Sequence, residues 1–542
     1  MSTENKTTIT SHEPTADEAR LRELGYKEEL SRGMGLIHNF GVSFSIISVI
    51  TGGTTLFEYG LTTGGPAVMT IGWIIVSAFT GTVALGMAEI VSAVPASGGP
   101  YHWAALLAPP KYSAFWAWMV GWFNFLGQVA VTTGITFGLA QLISTAASLD
   151  GYVATPGKTI AIYIALLISH GVVNTFGVKF LKYFNTLSVT LHSLGIFSLC
   201  VATLAKAPTH QSGSFVFGKF YDGTGVDGVG WSQRASPAYV AVIGILQAQF
   251  TITGFDASAH MSEETLNSAR NAPLGVIMSV GISAIFGFFF IVSMLFSIQD
   301  FDNTVASPIG QPVFQIFVDV FGTAGAKVLM ALVMLCVWHC GLFSVTSNSR
   351  MYYAFARDGG IPRFFDKIEP RFSAPVRTVW LAVFLSFLLA LPSLGSSVAY
   401  SAATSIATIG LYMSYGLPIL LMVIYHDRFL SIRGPFNLGR FSRINGVIAA
   451  GWVMFITIVF CLPALNPVDS QTLNYTPVAV GIIFVGALSS WFSFAKSNFK
   501  GPLNELIQEG IIPSYTLDSE ARTDEKPDVK TEASQKVQEV AE

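Results

Sequence analysis

Long apolar runs fill this chain and leave few residues able to do chemistry. Asp256, His192, Glu89 and the pair Asn124 and Gln128 stand inside or at the ends of those runs. An ionisable side chain at the centre of a membrane helix costs roughly 2.5–3.5 kcal/mol on insertion scales, so each needs a reason to be there. Asp256 could bind and release a proton; its ordinary alternative is a structural partner for exposed backbone amides. An imidazole can relay protons near neutral pH, which fits His192, although a neutral hydrogen-bonded core histidine is the ordinary identity of such a residue. Asn124 and Gln128 are four apart and share a helix face, where they either line a pathway or bond neighbouring helices. His170 and His339 read as packing. Covalent catalysis lacks its parts: there is no His-Glu-x-x-His, no Gly-x-Ser-x-Gly in a plausible context and no carboxylate pair within a span. Cys200, Cys336, Cys340 and Cys461 show no Cys-x-x-Cys spacing, so neither a metal nor any other cofactor is expected.

Two segments interrupt otherwise apolar runs. Thr51-Gly52-Gly53-Thr54 follows the run 43–50, and Thr251-Ile252-Thr253-Gly254-Phe255-Asp256 puts small and polar residues where Leu and Val are usual. Paired glycines inside a helix cost roughly 1 kcal/mol each against Ala. In lipid, non-helical backbone is tolerated only where it lines a cavity or is buried in protein. An unwound first helix would present amide N–H groups to an anion such as a carboxylate, and an unwound sixth would offer free carbonyls to an ammonium group. The alternative is that these glycines simply let helices pack closely. Matched breaks five helices apart point instead to a transport site.

The elements that must hold these residues follow from composition. Of 542 residues 51% are hydrophobic and 12% charged, with mean hydropathy +0.54. Soluble domains carry about 25% charged residues, so lipid must solvate this surface. The basic residues form no dense stripe, so nucleic acid is not a partner. Twelve runs reach the length of a span: 40–61, 66–88, 113–143, 159–174, 184–204, 237–259, 274–296, 323–347, 379–394, 401–425, 446–465 and 476–495. They define a transporter domain over 40–496. The polar ends, 1–39 and 497–542, read as loosely attached tails, and without a cleavable signal the first helix serves for insertion. With a cytosolic N-terminus, only Lys158, Lys206, Lys219, Arg234 and Lys327 of the 30 Lys and Arg fall outside, so both termini are expected in the cytosol. Asn474-Tyr475-Thr476 matches the glycosylation pattern but sits too near the membrane.

Several motifs occur in a recognisable order. Phe44-Ser45-Ile46-Ile47-Ser48 leads into the first break; Met87-Ala88-Glu89-Ile90 precedes Pro95-Ala96-Ser97-Gly98-Gly99-Pro100-Tyr101; Gly121-Trp122-Phe123-Asn124 is followed by Gln128. The longest stretch is Ser349-Arg350-Met351-Tyr352-Tyr353-Ala354-Phe355-Ala356-Arg357-Asp358-Gly359. Over about 33–495 the chain resembles the amino acid–polyamine–organocation superfamily, in particular its branch of GABA, choline and bidirectional amino-acid permeases. The resemblance implies an all-α membrane protein of twelve transmembrane helices, a LeuT-like five-plus-five inverted repeat with discontinuous first and sixth helices, and a solute held between them. It implies Thr51, Gly52, Gly53 and Thr54 as contacts for the acidic or polar end of the solute. Phe250, as an aromatic gate, with Thr253, Gly254 and Phe255, would receive the amine, and Asp256, His192, Asn124 and Gln128 would serve coupling or the pathway. The expected cargo is a small amine-bearing solute, an amino acid or GABA-like zwitterion, with choline, a polyamine or a cationic vitamin as the alternative. A permease-like nutrient sensor is the rival of a different class. The eighth span offers hydroxyls only toward its cytosolic end (Ser344, Thr346, Ser347), which favours proton coupling or exchange over sodium. The plasma membrane is expected over the vacuole.

Overall fold

The computed structural model describes residues 17, 32–307, 309–395, 399–499 and 501–502. Most of both tails lies outside them, although Asp17 accepts from the amides of Asn267 (2.6 Å) and Ser268 (3.0 Å) at the start of the seventh span. Helices make up the fold; among the described residues there are isolated bridges and no strand. Eleven helices are long and apolar enough to cross a bilayer: Leu36–Thr55, Gly65–Ala93, Pro110–Ser148, Pro156–Phe176, Val178–Lys206, Ser268–Phe296, Pro312–Arg357, Val376–Leu394, Ala399–Ile424, Gly439–Val459 and Thr476–Asn498. The twelfth expected run, the sixth along the chain, is cut into Pro237–Thr251 and Ala257–His260. It falls short of a full span because it is broken.

Burial sorts the spans. The most apolar stretch of the first span is 83% buried and those of the third and tenth 78%, against 17% for the twelfth. Ile285, Val328, Leu194 and Phe492 stand fully on the outer surface. Such a belt of large apolar side chains suits hydrocarbon and would be untenable in water. The third and tenth spans cross so closely that a Cβ on Gly127 would stand 2.6 Å from the Leu411 nitrogen, and one on Gly410 would lie 2.8 Å from the Gly127 Cα. Small residues at such crossings let backbones touch, the usual way helices associate in lipid. The second and seventh spans lock differently: the Trp73 indole N–H donates to the Ala284 carbonyl (2.8 Å) and lies where Gly287 has no side chain.

Several boundaries differ from the sequence reading. The first span runs from Leu36 to Thr55 rather than over 40–61, because Leu56 leaves helical geometry (φ −109°, ψ 16°) and Phe57–Thr62 forms a separate short helix. The eighth extends from 312 to 357 and bends at Gly322 (φ +67°, ψ 172°), where only glycine is unstrained. Asn474 donates to the carbonyls of Phe460 (2.8 Å) and Leu462 (2.9 Å), so its amide ties down a turn.

Overpacking a core usually costs about 1–3 kcal/mol. Gly127→Leu should therefore force the third and tenth spans apart and lower the thermal midpoint of the purified protein, whereas Gly481→Leu, with nothing within 4 Å, should leave it unchanged. Equal midpoints for the two variants would contradict the crossing.

Candidate binding site between two broken helices

The first interruption falls at Ser48, not over 51–54. Ser48 adopts φ +33°, ψ 78°, and helix resumes from Val49 to Thr55, so Thr51, Gly52, Gly53 and Thr54 are helical. Left-handed geometry costs a non-glycine residue roughly 1–2 kcal/mol. Here the Ser48 hydroxyl is held by Thr51 Oγ1 (2.5 Å) and His192 Nε2 (2.7 Å). The glycines serve close approach: a Cβ on Gly52 would meet Thr251 Oγ1 at 2.4 Å, and one on Gly53 would meet the Phe290 ring at 2.9 Å. The sixth-span interruption covers 252–256 of the expected 251–256, Thr251 being the last helical residue, with Gly254 at φ +98° against Ile46.

A broken helix frees carbonyls that lipid cannot satisfy. Side chains from other spans take them. The Cys340 thiol donates to Ile46 O (3.1 Å), the Tyr412 hydroxyl to Ile252 O (3.0 Å), and the Ser43 hydroxyl to Phe255 O (3.0 Å). Ser43 Oγ also accepts from the Ser258 amide (2.8 Å). Neither resumed helix has a side-chain cap at its start.

Between the breaks is a void of about 10 Å³, roughly room for one water, bounded by Thr51, Gly52, Val131, Phe250 and Thr253. Phe250 reaches across to the third span, 3.4 Å from where a Gly134 Cβ would stand. One helical turn away, at Thr55, Leu246 and Tyr400, begins a vestibule of about 560 Å³. Phe250 lines the void, and Leu246, one turn earlier on the same helix, lines the vestibule. Gly53 and Thr54 are buried beside the void rather than on its wall.

Asp256, behind the sixth break, accepts from Gln128 (2.8 Å) and Asn124 (3.2 Å) through Oδ2, and His260 Nε2 lies 3.2 Å from the same oxygen. Asn124 and Gln128 therefore join the third span to the sixth. His192 sits in a π-turn, Leu191–Gly195, with Nδ1 2.8 Å from Ser188 O. Of the eighth-span hydroxyls, Ser344 bonds Thr132 (2.7 Å) and Thr346 bonds Asn174 (2.7 Å), whereas the buried Ser347 hydroxyl has no hydrogen-bond partner among the described residues.

The end of the bundle where the first span begins is sealed. There Gly33 N–H donates to Glu264 O (3.1 Å). Arg350 pairs with Glu264 (2.9 Å) and Arg357 with Glu263 (3.2 Å), while the Ser97 amide donates to Glu263 Oε1 (3.0 Å). The Tyr101 hydroxyl donates to Asp358 (2.8 Å), and His102 Nε2 lies 3.3 Å from the same carboxylate. Glu89 accepts from the Leu438 amide (2.7 Å), so the second span's end anchors the connection to the eleventh. Burial works to raise the Glu263 carboxyl, but the charge and hydrogen bonds of Arg357 outweigh it and hold the group below its usual range. Burial and the neighbouring Arg357 charge push His102 down to about 3.

Sequence reasoning missed Ser48, Ser43, Tyr412, Cys340 and His260. Only His260 carried a signal, one turn after Asp256 on the same face.

Two broken spans meeting inside a bundle of apolar helices, ion-paired at one end and open to a vestibule at the other, have the architecture of a membrane permease. Residues 37–486 match the family described as amino acid permease. A rice protein named amino-acid permease BAT1 homolog is 44% identical over 507 residues, covering 90% of this chain and 96% of its own. Amino-acid permease BAT1 of Arabidopsis thaliana is 40% identical, with 90% and 97% covered. An uncharacterized amino-acid permease of Schizosaccharomyces pombe is 32% identical, with 92% of each chain covered. The chain belongs to the amino acid permease family, as an integral, multi-pass membrane protein.

The seal carries a pH dependence with a definite sign. Unfolded, His102 takes a proton near 6.5 and folded only near about 3; Glu263 is likewise below its ordinary 4.5 when folded. Across those windows the unfolded chain binds more protons, so stability falls as pH falls. The thermal midpoint should drop on acidification from about pH 7, and His102→Gln should remove up to one proton's worth of slope above about pH 4.5. An unchanged slope in that variant would rule out a neutral buried imidazole.

Proposed function

We propose that this chain carries amino acids or GABA-like zwitterions across a membrane by alternating access, with proton coupling or exchange. The observation that carries this reading is the pairing of an open vestibule on one side of the broken spans with an ion-paired seal on the other. The basic residues cluster on the sealed side, which supports cytosolic termini and an outward-open state; the plasma membrane is the setting we assign.

In this reading the solute displaces Phe250 and widens the void. Its acidic end faces Thr51 and Gly52, backed by Gly53 and Thr54. Its ammonium faces the sixth-span break at Thr253, Gly254 and Phe255, beneath the Phe250 ring. Zwitterions are preferred over choline, polyamines and cationic vitamins because no charged side chain bounds the void and Asp256 is already taken by three partners. A cation would find no counter-charge, whereas a zwitterion brings its own. Sodium is disfavoured as the coupling ion because Ser344 and Thr346 are engaged and the Cys340 thiol occupies the Ile46 carbonyl. His192 and Asp256 are the candidate proton-bearing residues, and Asn124 and Gln128 connect Asp256 to the third span.

Liposomes containing the purified protein should take up radiolabelled amino acids or GABA in preference to choline and spermidine. A cation–π contact contributes on the order of 1 kcal/mol, so Phe250→Ala should raise KM about fivefold with little loss of protein in the membrane. Uptake of choline alone would overturn the substrate assignment. Full insertion with no transport of any of these solutes would favour a sensor built on a permease body.

A further inference from the structure

We propose that Asp256 and His260 jointly hold one exchangeable proton, and that opening of the inner seal releases it. This deepens the transport reading above and rests on it.

The argument is a count of protons. His260 Nδ1 lies 2.8 Å from the Ser97 carbonyl oxygen, and Nε2 lies 3.2 Å from Asp256 Oδ2. A carbonyl oxygen only accepts, and so does an ionised carboxylate. A neutral imidazole has a single N–H and can serve only one of them. The other contact would set lone pair against lone pair in a site where both side chains are at most 1% exposed. A further proton closes the gap. It sits on the ring, as imidazolium beside carboxylate, or on Asp256, whose O–H then donates to Nε2. In both cases the pair holds one proton more than neutral histidine plus ionised aspartate, and the total belongs to the pair.

The other candidate needs no such proton. The two ring nitrogens of His192 meet, at Nδ1, the Ser188 carbonyl with the Ser188 hydroxyl beside it and, at Nε2, the Ser48 hydroxyl, which can itself donate. A neutral ring satisfies both. The titratable and charged groups facing the Asp256–His260 pair are Tyr412 and Tyr415 on the tenth span, Glu263 just beyond it, His102 past the Ser97 turn, and Arg350, Arg357 and Asp358 on and after the eighth. The third span faces it with Asn124 and Gln128, and the first with Asn39 and Ser43.

Ser97 joins this pair to the seal. Its carbonyl accepts from His260, while its amide donates to Glu263, the partner of Arg357. When the seal opens, the Ser97 turn must leave Glu263, and His260 then loses its second acceptor. A neutral ring with its hydrogen on Nε2 suffices for Asp256, so the surplus proton passes to water on the sealed side, leaving neutral His260 and the Asp256 carboxylate.

The test uses full-length protein in liposomes with a trapped pH dye and a labelled amino-acid mixture. Wild type should accumulate label under an acid-outside gradient with a matching dye response. Asp256→Asn and His260→Gln should each lose gradient-driven accumulation by about tenfold or more while keeping counterflow at equal pH, and His210→Gln, at an exposed position in the loop before the sixth span, should keep both. Persistent gradient-driven accumulation in Asp256→Asn, or wild-type counterflow with no dye response, would overturn the proposal. If the two variants lose counterflow as well, proton release by wild type on adding the amino-acid mixture in weakly buffered detergent decides: about one proton per molecule, retained in Asp256→Glu, supports it, and none sinks it. Wild type that moves no solute at all refutes the transport reading. The proton count then stands or falls on whether Asp256→Asn removes a protonated-carboxyl or imidazolium band from the infrared spectrum.

Discussion

A peptide group without a partner in hydrocarbon costs several kcal/mol, and this fold leaves two helices broken at that depth. Every feature of the site follows from how the cost is met. Water is one remedy, but the void between the breaks holds about 10 Å³. Side chains supply the other: Cys340 from the eighth span, Tyr412 from the tenth and Ser43 from the first cover the carbonyls of Ile46, Ile252 and Phe255. Each cap comes from a different span from the carbonyl it covers. The breaks therefore hold the bundle together at the depth where they would otherwise weaken it.

The same bonds divide the bundle mechanically. Ser43 bonds both Phe255 O and the Ser258 amide, so the sealed-side halves of the first and sixth spans are tied to each other. Their vestibule-side halves touch through Gly52 and Thr251. The third and tenth spans are fused at Gly127 and Gly410. Between these units, the direct polar links run through Asp256 to Gln128 and Asn124 and through Tyr412 to Ile252. Rocking of one unit against the other must strain or break those few bonds. Under the proposed proton coupling, a change of proton count at Asp256 would act on one of them.

The spans were legible in the sequence because length and hydropathy are what lipid demands, and the broken sixth helix was legible because its residues fit no apolar helix. The first break was displaced by three residues, for a physical reason. Glycine pairs mark either unwinding or close approach, and at Gly52 and Gly53 the need is space for Thr251 and Phe290. The unwinding falls on a serine, whose left-handed geometry is maintained by a histidine distant in sequence, and nothing local marks it. Asn124 and Gln128 were read correctly as sharing a face; that both converge on Asp256 depends on the crossing of the third and sixth spans. The caps are ordinary Ser, Tyr and Cys residues that acquire their roles only from neighbours more than a hundred positions away.

Selectivity in such a site cannot rest on ion pairing. The void has Thr, Gly, Val, Ile and Phe on its walls and no charge, and Asp256, behind the sixth-span break, has three polar contacts of its own. Freeing Asp256 for a ligand's ammonium would strand Gln128, Asn124 and His260, each a buried polar group with its own desolvation cost. In the proposed reading recognition comes from peptide dipoles and one aromatic face, which are weak singly and add only when a solute reaches both breaks together. In the proposed reading a short zwitterion does so, with one end at each break. A cation with no anionic end engages half the site. On that reading Asp256, held with His260 behind the break, takes no part in binding the solute.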